Sequence, residues 1–261
     1  MERIRIDKVN GKLKSGDYVI DSFGDLNIET EVNSQVDILV SSLPDESFFK
    51  MIVSEGSLVN LSVLAERKVS KANFEIHVKK DGELDGYFAD FSKGIINLNC
   101  VINLEEENAT ANFRLASLGA NKDIKDINIS VRHLSPKTYG RVDNYGVCKD
   151  DARMVFSGTS HILKDSIKSK TQQNAKIMVF DKMSNAIAKP ILKIDENDIE
   201  ASHAAVVGKI NDEHLFYLTS RGISEADAKE LITFGYLKPI LSGFKEEQIK
   251  EHISSLIEGR M

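Results

Sequence analysis

From Val36 onward the chain alternates apolar and polar residues in short runs: Leu58 to Leu64, Phe74 to Val78, Ile96 to Leu104, Phe113 to Leu115 and Ile127 to Val131. In each run the apolar residues at i, i+2 and i+4 share one face, with Asn, Ser, Lys or Glu on the other, which predicts half-buried strands. Turn-forming residues separate the runs at Lys80-Asp81-Gly82, Ser92-Lys93-Gly94 and Leu118-Gly119-Ala120-Asn121. The runs are centred about 14 to 24 residues apart, with no helical period between them. Two architectures fit that spacing, a β-sandwich and a solenoid of stacked coils. No clean residue-level repeat decides between them.

Residues 1 to about 30 are polar and glycine-spaced, with short alternating pieces such as Arg3-Ile4-Arg5-Ile6, and predict an opening strand or two. The pattern changes between Asp198 and Tyr236. This stretch holds His203 among small apolar residues, a strand-like Leu215-Phe216-Tyr217-Leu218 segment, and a turn at Ser220-Arg221-Gly222 that opens into a helix. Ser224 followed by Asp227 is a capping-box-like start, and Ala228, Leu231 and Ile232 fall on one helical face. A second helix from about Lys245, anchored by Phe244, carries Ile249, His252, Ile253, Leu256 and Ile257 at helical spacing. Pro239 and Gly243 separate the two. The chain therefore divides into a β core over 1–212 and a helical region over 213–261.

A length of 261 residues is enough to bury a sizeable core. The net charge of -6 and the pI near 5.6 argue against a nucleic-acid surface, which needs a basic face. The first twenty residues lack the apolar centre of a signal peptide, and no run of about 18 apolar residues offers a membrane span. A cytoplasmic protein is expected. The two cysteines, Cys100 and Cys148, form no C-x-x-C pair and read as free thiols, with Cys100 inside the apolar alternation of Ile96, Leu98 and Ile102. His133, beside Pro136 and Thr138, reads as structural, and Lys164 to Lys170 as a solvated turn.

Catalytic signatures are missing from the sequence. There is no P-loop to cradle a nucleotide, no G-x-S-x-G elbow and no H-E-x-x-H helix. Ser202 and His203 are adjacent on a strand and point to opposite faces, so they cannot work as a pair. A non-enzymatic protein without direct nucleotide binding is expected. An iron-sulfur cluster takes four thiolates, or two thiolates and two imidazoles, and two distant cysteines plus a histidine supply only part of such a set. Any such cluster needs ligands from another chain.

Several short motifs, in order, resemble the SufB/SufD family of iron-sulfur cluster assembly scaffolds. They are Thr171-Gln172-Gln173-Asn174, Pro190-Ile191-Leu192-Lys193-Ile194, Ala201-Ser202-His203-Ala204-Ala205-Val206-Val207-Gly208, Leu215-Phe216-Tyr217-Leu218 and Ser220-Arg221-Gly222-Ile223. The resemblance implies a right-handed β-helix core followed by a short helical region, in a short SufD-like form. It implies a scaffold subunit that pairs with a SufB-type or identical chain, binds a SufC-type ABC ATPase, and shares a transient iron-sulfur cluster with its partner chain. It implies that His203 is a cluster or iron ligand at the dimer interface, and that Phe216, Tyr217, Arg221, Gly222, Leu231 and Tyr236 bind partners. This sequence departs from the family at Ser202, Ala204 and Val206, where other members place glutamate, glycine and threonine. The reading of a different class is a β-solenoid binding or structural module with no metal role.

Overall fold

Each alternating run forms a strand, and each strand pairs with the next but one in the chain. The computed structural model describes residues 3–6, 10–21 and 23–261. Over these the strands are β1 (Ile4–Arg5), β2 (Asn10–Leu13), β3 (Gly16–Ile20), β4 (Asp25–Thr30), β5 (Gln35–Val40), β6 (Glu46–Val53), β7 (Leu58–Ala65), β8 (Lys71–Val78) and β9 (Glu83–Asp90). They continue as β10 (Ile95–Leu104), β11 (Thr110–Gly119), β12 (Ile124–His133), β13 (Tyr139–Cys148), β14 (Arg153–Ile162), β15 (Ser169–Val179), β16 (Asn185–Ile194) and β17 (Ile199–Lys209). Odd-numbered strands make one sheet of nine and even-numbered strands a second of eight. Every pairing is parallel, as in β13 with β15 and β12 with β14. A sandwich of the kind considered above is antiparallel, so the chain is a β-solenoid, each coil giving one strand to each sheet. The opening strands expected over residues 1–30 are β1 to β4, except that Met1, Glu2, Asp7, Lys8, Val9 and Ser22 lie outside the described residues.

The coils stack at their corners. Asn33, Gly56, Asp81, Asn108, Lys137 and Lys168 have left-handed backbones with φ between 53° and 65°. Each donates its N–H to a carbonyl of the next coil, on Glu55, Lys80, Glu107, Pro136, Ile167 and Asp198, at 2.6 to 3.3 Å. Asn, Asp and Gly tolerate this conformation best, which accounts for four of the six. These corners are 23, 25, 27, 29 and 31 residues apart, so each coil is two residues longer than the one before. The strands lengthen accordingly, from five residues in β3 to eleven in β15 and β17. The solenoid tapers.

Its interior is filled by the inward residues of both sheets. Phe23, Phe49, Phe74 and Phe88 stack through successive coils with ring centroids 5.9, 5.2 and 5.8 Å apart. Gly86 makes this packing possible at one point, since a Cβ there would overlap the ring of Phe113. The buried Cys100 lies in this core, and its thiol is pushed up to about 12 by burial.

A second core lies outside the odd sheet. Strands β7, β9 and β11 bury both faces of their second halves, whereas β6 and β8 alternate throughout. The cover comes from the C-terminal elements: α1 (Asp212–Ser220), α2 (Glu225–Leu237), a 3₁₀ turn (Lys238–Gly243) and α3 (Glu247–Glu258). Leu237, Ile240, Phe244, Ile253 and Ile257 pack on Leu64, Tyr87, Ala89, Phe91, Ala116 and Leu118. Charges fix the ends of this cover. Arg3 bridges Asp37 and Glu246, Lys245 bridges Asp17 and Asp37, and Arg260 pairs with Asp123 beside the fully buried Lys125–Asp90 pair.

Three local expectations need correction. Leu215-Phe216-Tyr217-Leu218 is the middle of α1, not a strand, because Asn211 accepts the N–H groups of Glu213 and His214 and Asp212 and Glu213 charge the first turn favourably. Leu231 does not share the buried face of Ala228; it is 53% exposed. Within Lys164 to Lys170 the solvated turn holds for Lys164, Asp165, Ile167 and Lys168, which are exposed, but Ser166 and Ser169 are fully buried and Ser169 already belongs to β15.

Candidate interface and metal-ligand site

At the wide end of the solenoid the last strand of each sheet is uncovered. Strand β17 pairs with β15 on one side only, and β16 pairs with β14 on one side only, so both present an edge of unpaired backbone groups. The first residues after β17 turn away into α1, and the helical cover lies over earlier strands. Apolar side chains stand in the open here: Ile191 and Ile194 on β16, Val206 and Val207 on β17.

Parallel register tells which way each side chain of β17 points. Ala201, His203, Ala205 and Val207 are level with the inward residues Thr171, Gln173, Ala175 and Ile177 of β15. His203 therefore lies on the interior side of the last coil, exposed because no further coil covers it. Ser202, Ala204 and Val206 are on the outer face.

Beneath β17 the filling of the interior changes. The column that ends at His203 runs Leu61, Gly86, Phe113, Val142, Gln173, His203. Its apolar part stops at Val142. The buried Thr171 Oγ1, Gln173 Oε1, Ser160 Oγ and Asn144 Oδ1 have no hydrogen-bond partner. His133, deeper and fully buried, shares its Nδ1 with Thr138 Oγ1 at 2.8 Å, while its Nε2 is unpartnered. Burial lowers its pKa to about 4, so it is a neutral structural histidine.

The remaining residues singled out in the sequence fall into two groups. Phe216 and Tyr217 are 73% and 54% exposed on α1, which has no buried residue, and the Arg221 guanidinium stacks over the Tyr217 ring at 4.7 Å. Gly222 follows with φ 89°, the left-handed value that turns α1 into α2. Leu231 is exposed on α2. Tyr236 is separate: its half-buried ring meets Tyr145 of β13 edge to face at 5.7 Å, and burial raises its hydroxyl to about 12. That contact seats α2 on the solenoid.

Neither cysteine is beside His203. Cys148 lies two strands away at the level of Lys209, its Sγ 3.2 Å from the Ala152 carbonyl, and burial pushes its thiol up to about 11. Among the described residues no three of His, Cys, Asp and Glu converge as a metal site. His203 is thus a single imidazole at an open end, and any cluster there would need further ligands from elsewhere. The sequence reading missed the polar layer under His203. Its signal was present in Thr171 and Gln173, polar residues at the inward positions of a strand whose next inward residues are Ala175 and Ile177.

No helix among the described residues is long and apolar enough to cross a membrane. Residues 15–236 match the family described as SUF system FeS cluster assembly, SufBD core domain. Iron-sulfur cluster assembly protein SufD of Bacillus subtilis is 29% identical over 159 residues, which cover 61% of this chain and 36% of that protein. SufD of Escherichia coli is 26% identical over 167 residues, 64% of this chain and 40% of its own length. A SufBD family iron-sulfur cluster assembly protein of Staphylococcus saprophyticus is 28% identical over 142 residues, 54% of this chain and 30% of its own. The chain thus spans less than half the length of the curated relatives it matches.

Proposed function

We propose, for a chain that belongs to the SufBD core family of iron-sulfur cluster assembly proteins, the role of a non-enzymatic scaffold subunit in the cytoplasm. It pairs with a SufB-like or identical chain and binds a SufC-type ATPase. The observation that carries this reading is the wide end: an unpaired β17 edge with exposed Val206 and Val207, and His203 on its interior side. Strand addition at such an edge gives backbone hydrogen bonds and covers apolar surface in one step. A chain docked there brings ligands to His203, so that a nascent cluster is held between two subunits and released as cargo.

The region 213–261 is the ATPase-binding part and 1–212 the β-helix core in this reading. Phe216, Tyr217 and Leu231 offer exposed apolar area beside Arg221, the composition of an interface centre. Tyr236 serves from behind, holding α2 against β13, so that movement of a bound ATPase is passed to the solenoid rather than absorbed by a loose helix.

Co-expression with a SufC-type ATPase from the same genome, purification through a tag on the ATPase and mass measurement of the complex test this. A stoichiometric complex that Phe216→Ala with Tyr217→Ala disrupts is the expected result, and its mass distinguishes an identical from a mixed pair. Failure to co-elute, with a monomeric chain that leaves ATPase turnover unchanged, would favour a binding module with no metal role.

A further inference from the structure

We infer that Gln173 is the positioning residue for His203: its amide oxygen, unpaired in this structure, is placed to accept an imidazole N–H and so to fix which nitrogen is free to bind iron. This rests on the reading of His203 as a ligand. The two residues are Cα partners on β15 and β17 and point to the same side, and adjacent strands lie about 4.8 Å apart, within reach of a glutamine side chain. Gln173 is 2% exposed. Its amide nitrogen lies across the interior, 2.9 Å from where a Cβ at Gly158 would stand. That leaves Oε1 buried and without a partner.

A buried acceptor left unmade is a cost that folded proteins seldom bear without a purpose. The register neighbour of Gln173 on the next strand is an imidazole, a group with an N–H to give. A ligating histidine commonly donates its second ring nitrogen to such a partner, which sets both tautomer and ring orientation. Thr171 Oγ1 and Ser160 Oγ, also unpartnered, lie two positions from Gln173 on β15 and from Gly158 on β14, and extend the same buried polar layer. In the four preceding coils of the same column, Leu61, Gly86, Phe113 and Val142, an apolar residue or glycine stands in this place.

The test compares wild type with Gln173→Met, which keeps the volume and removes the amide, and Gln173→Glu, which keeps an acceptor. In the first measurement, nitrogen-15 NMR of histidine-labelled chain reports the tautomer of His203. Wild type and Gln173→Glu should show one fixed tautomer, and Gln173→Met the mixture of a free imidazole. In the second, iron retained after anaerobic reconstitution of the scaffold complex should fall about tenfold in Gln173→Met. It should recover in Gln173→Glu.

An unchanged His203 tautomer in Gln173→Met, with retained iron also unchanged while His203→Ala abolishes it, overturns the role of Gln173 and leaves the ligand reading standing. Retention unaffected by His203→Ala sinks the ligand reading instead, and the NMR comparison then decides the contact alone. Should Gln173→Met fail to fold, Gln173→Leu and the wild-type tautomer itself carry the test: a mixed tautomer in wild type overturns the proposal.

Discussion

Replacing Lys125 with methionine should destabilise the protein more than its position at the foot of a strand suggests. Its side chain is 0% exposed, and its ammonium touches Asp90 Oδ1 at 3.2 Å and the Ser92 carbonyl and hydroxyl at 2.8 Å each. Burial pulls its pKa down, and Asp90 opposes that shift. Removal of the ammonium leaves Asp90, also 0% exposed, with the Ser92 N–H and the Ser92 and Ser117 hydroxyls but no countercharge in contact, the nearby Arg260 being paired with Asp123. Breaking a buried pair in this way costs about 3–5 kcal/mol. At about 2–4 °C per kcal/mol for a chain of this size class, the melting midpoint should fall by about 6–20 °C. The double variant Lys125→Met with Asp90→Asn removes both charges and should recover about half of that loss. Calorimetry or urea titration of the three proteins reads the cycle directly. A single variant that costs under about 1 kcal/mol, or a double variant no milder than the single, would refute the argument that a charge is stranded.

Two further outcomes follow from burial. His133 has a folded pKa of about 4 against an ordinary 6.5, so the unfolded chain binds a proton that the folded chain refuses. Stability is full above pH 6.5 and declines by up to about 3 kcal/mol as pH falls through 4. Urea midpoints of His133→Asn should decline less steeply over that window, and equal slopes would show that His133 is not responsible. Cys100 and Cys148, held up to about 12 and about 11, should resist an aromatic disulfide reagent at pH 8 until urea unfolds the chain. Reaction of either thiol in the native protein at the rate of a free cysteine contradicts the assigned burial.

Alternation made β8, β10 and β12 legible, because each keeps one wet face along most of its length, and it also marked parts of β7 and β11. It failed for β9, whose sequence Glu-Leu-Asp-Gly-Tyr-Phe-Ala-Asp is buried on both sides beneath the helical cover. Ser224 announced α2 through its capping pattern, and its side chain does accept the Asp227 N–H. Leu-Phe-Tyr-Leu reads as strand from its β-propensity alone, whereas the Asn211 cap and the first-turn acids Asp212 and Glu213, which that reading did not use, decide for α1 in the fold. The repeat was hidden for a different reason: corners 23, 25, 27, 29 and 31 residues apart share no fixed period, so self-comparison at a constant offset finds nothing. His203 was visible as a histidine in a motif. What lies under it was not, because the level of Gln173 against His203 exists only once the coils are stacked.

A solenoid that grows by two residues per coil has ends that cannot substitute for one another. Were copies to add end to tail over the described strands, the eleven residues of β17 would face the two of β1 and the ten of β16 the four of β2, and at least half of the wide rim would find no backbone partner. Two wide rims match in length. A coil of constant girth would accept a third copy as readily as a second and so grow without limit, whereas a cone that joins at its base is finished after one encounter. In the pairing proposed above, arithmetic in the corner spacing would therefore do what charged edges and bulges do in other β proteins: it would stop the fibre.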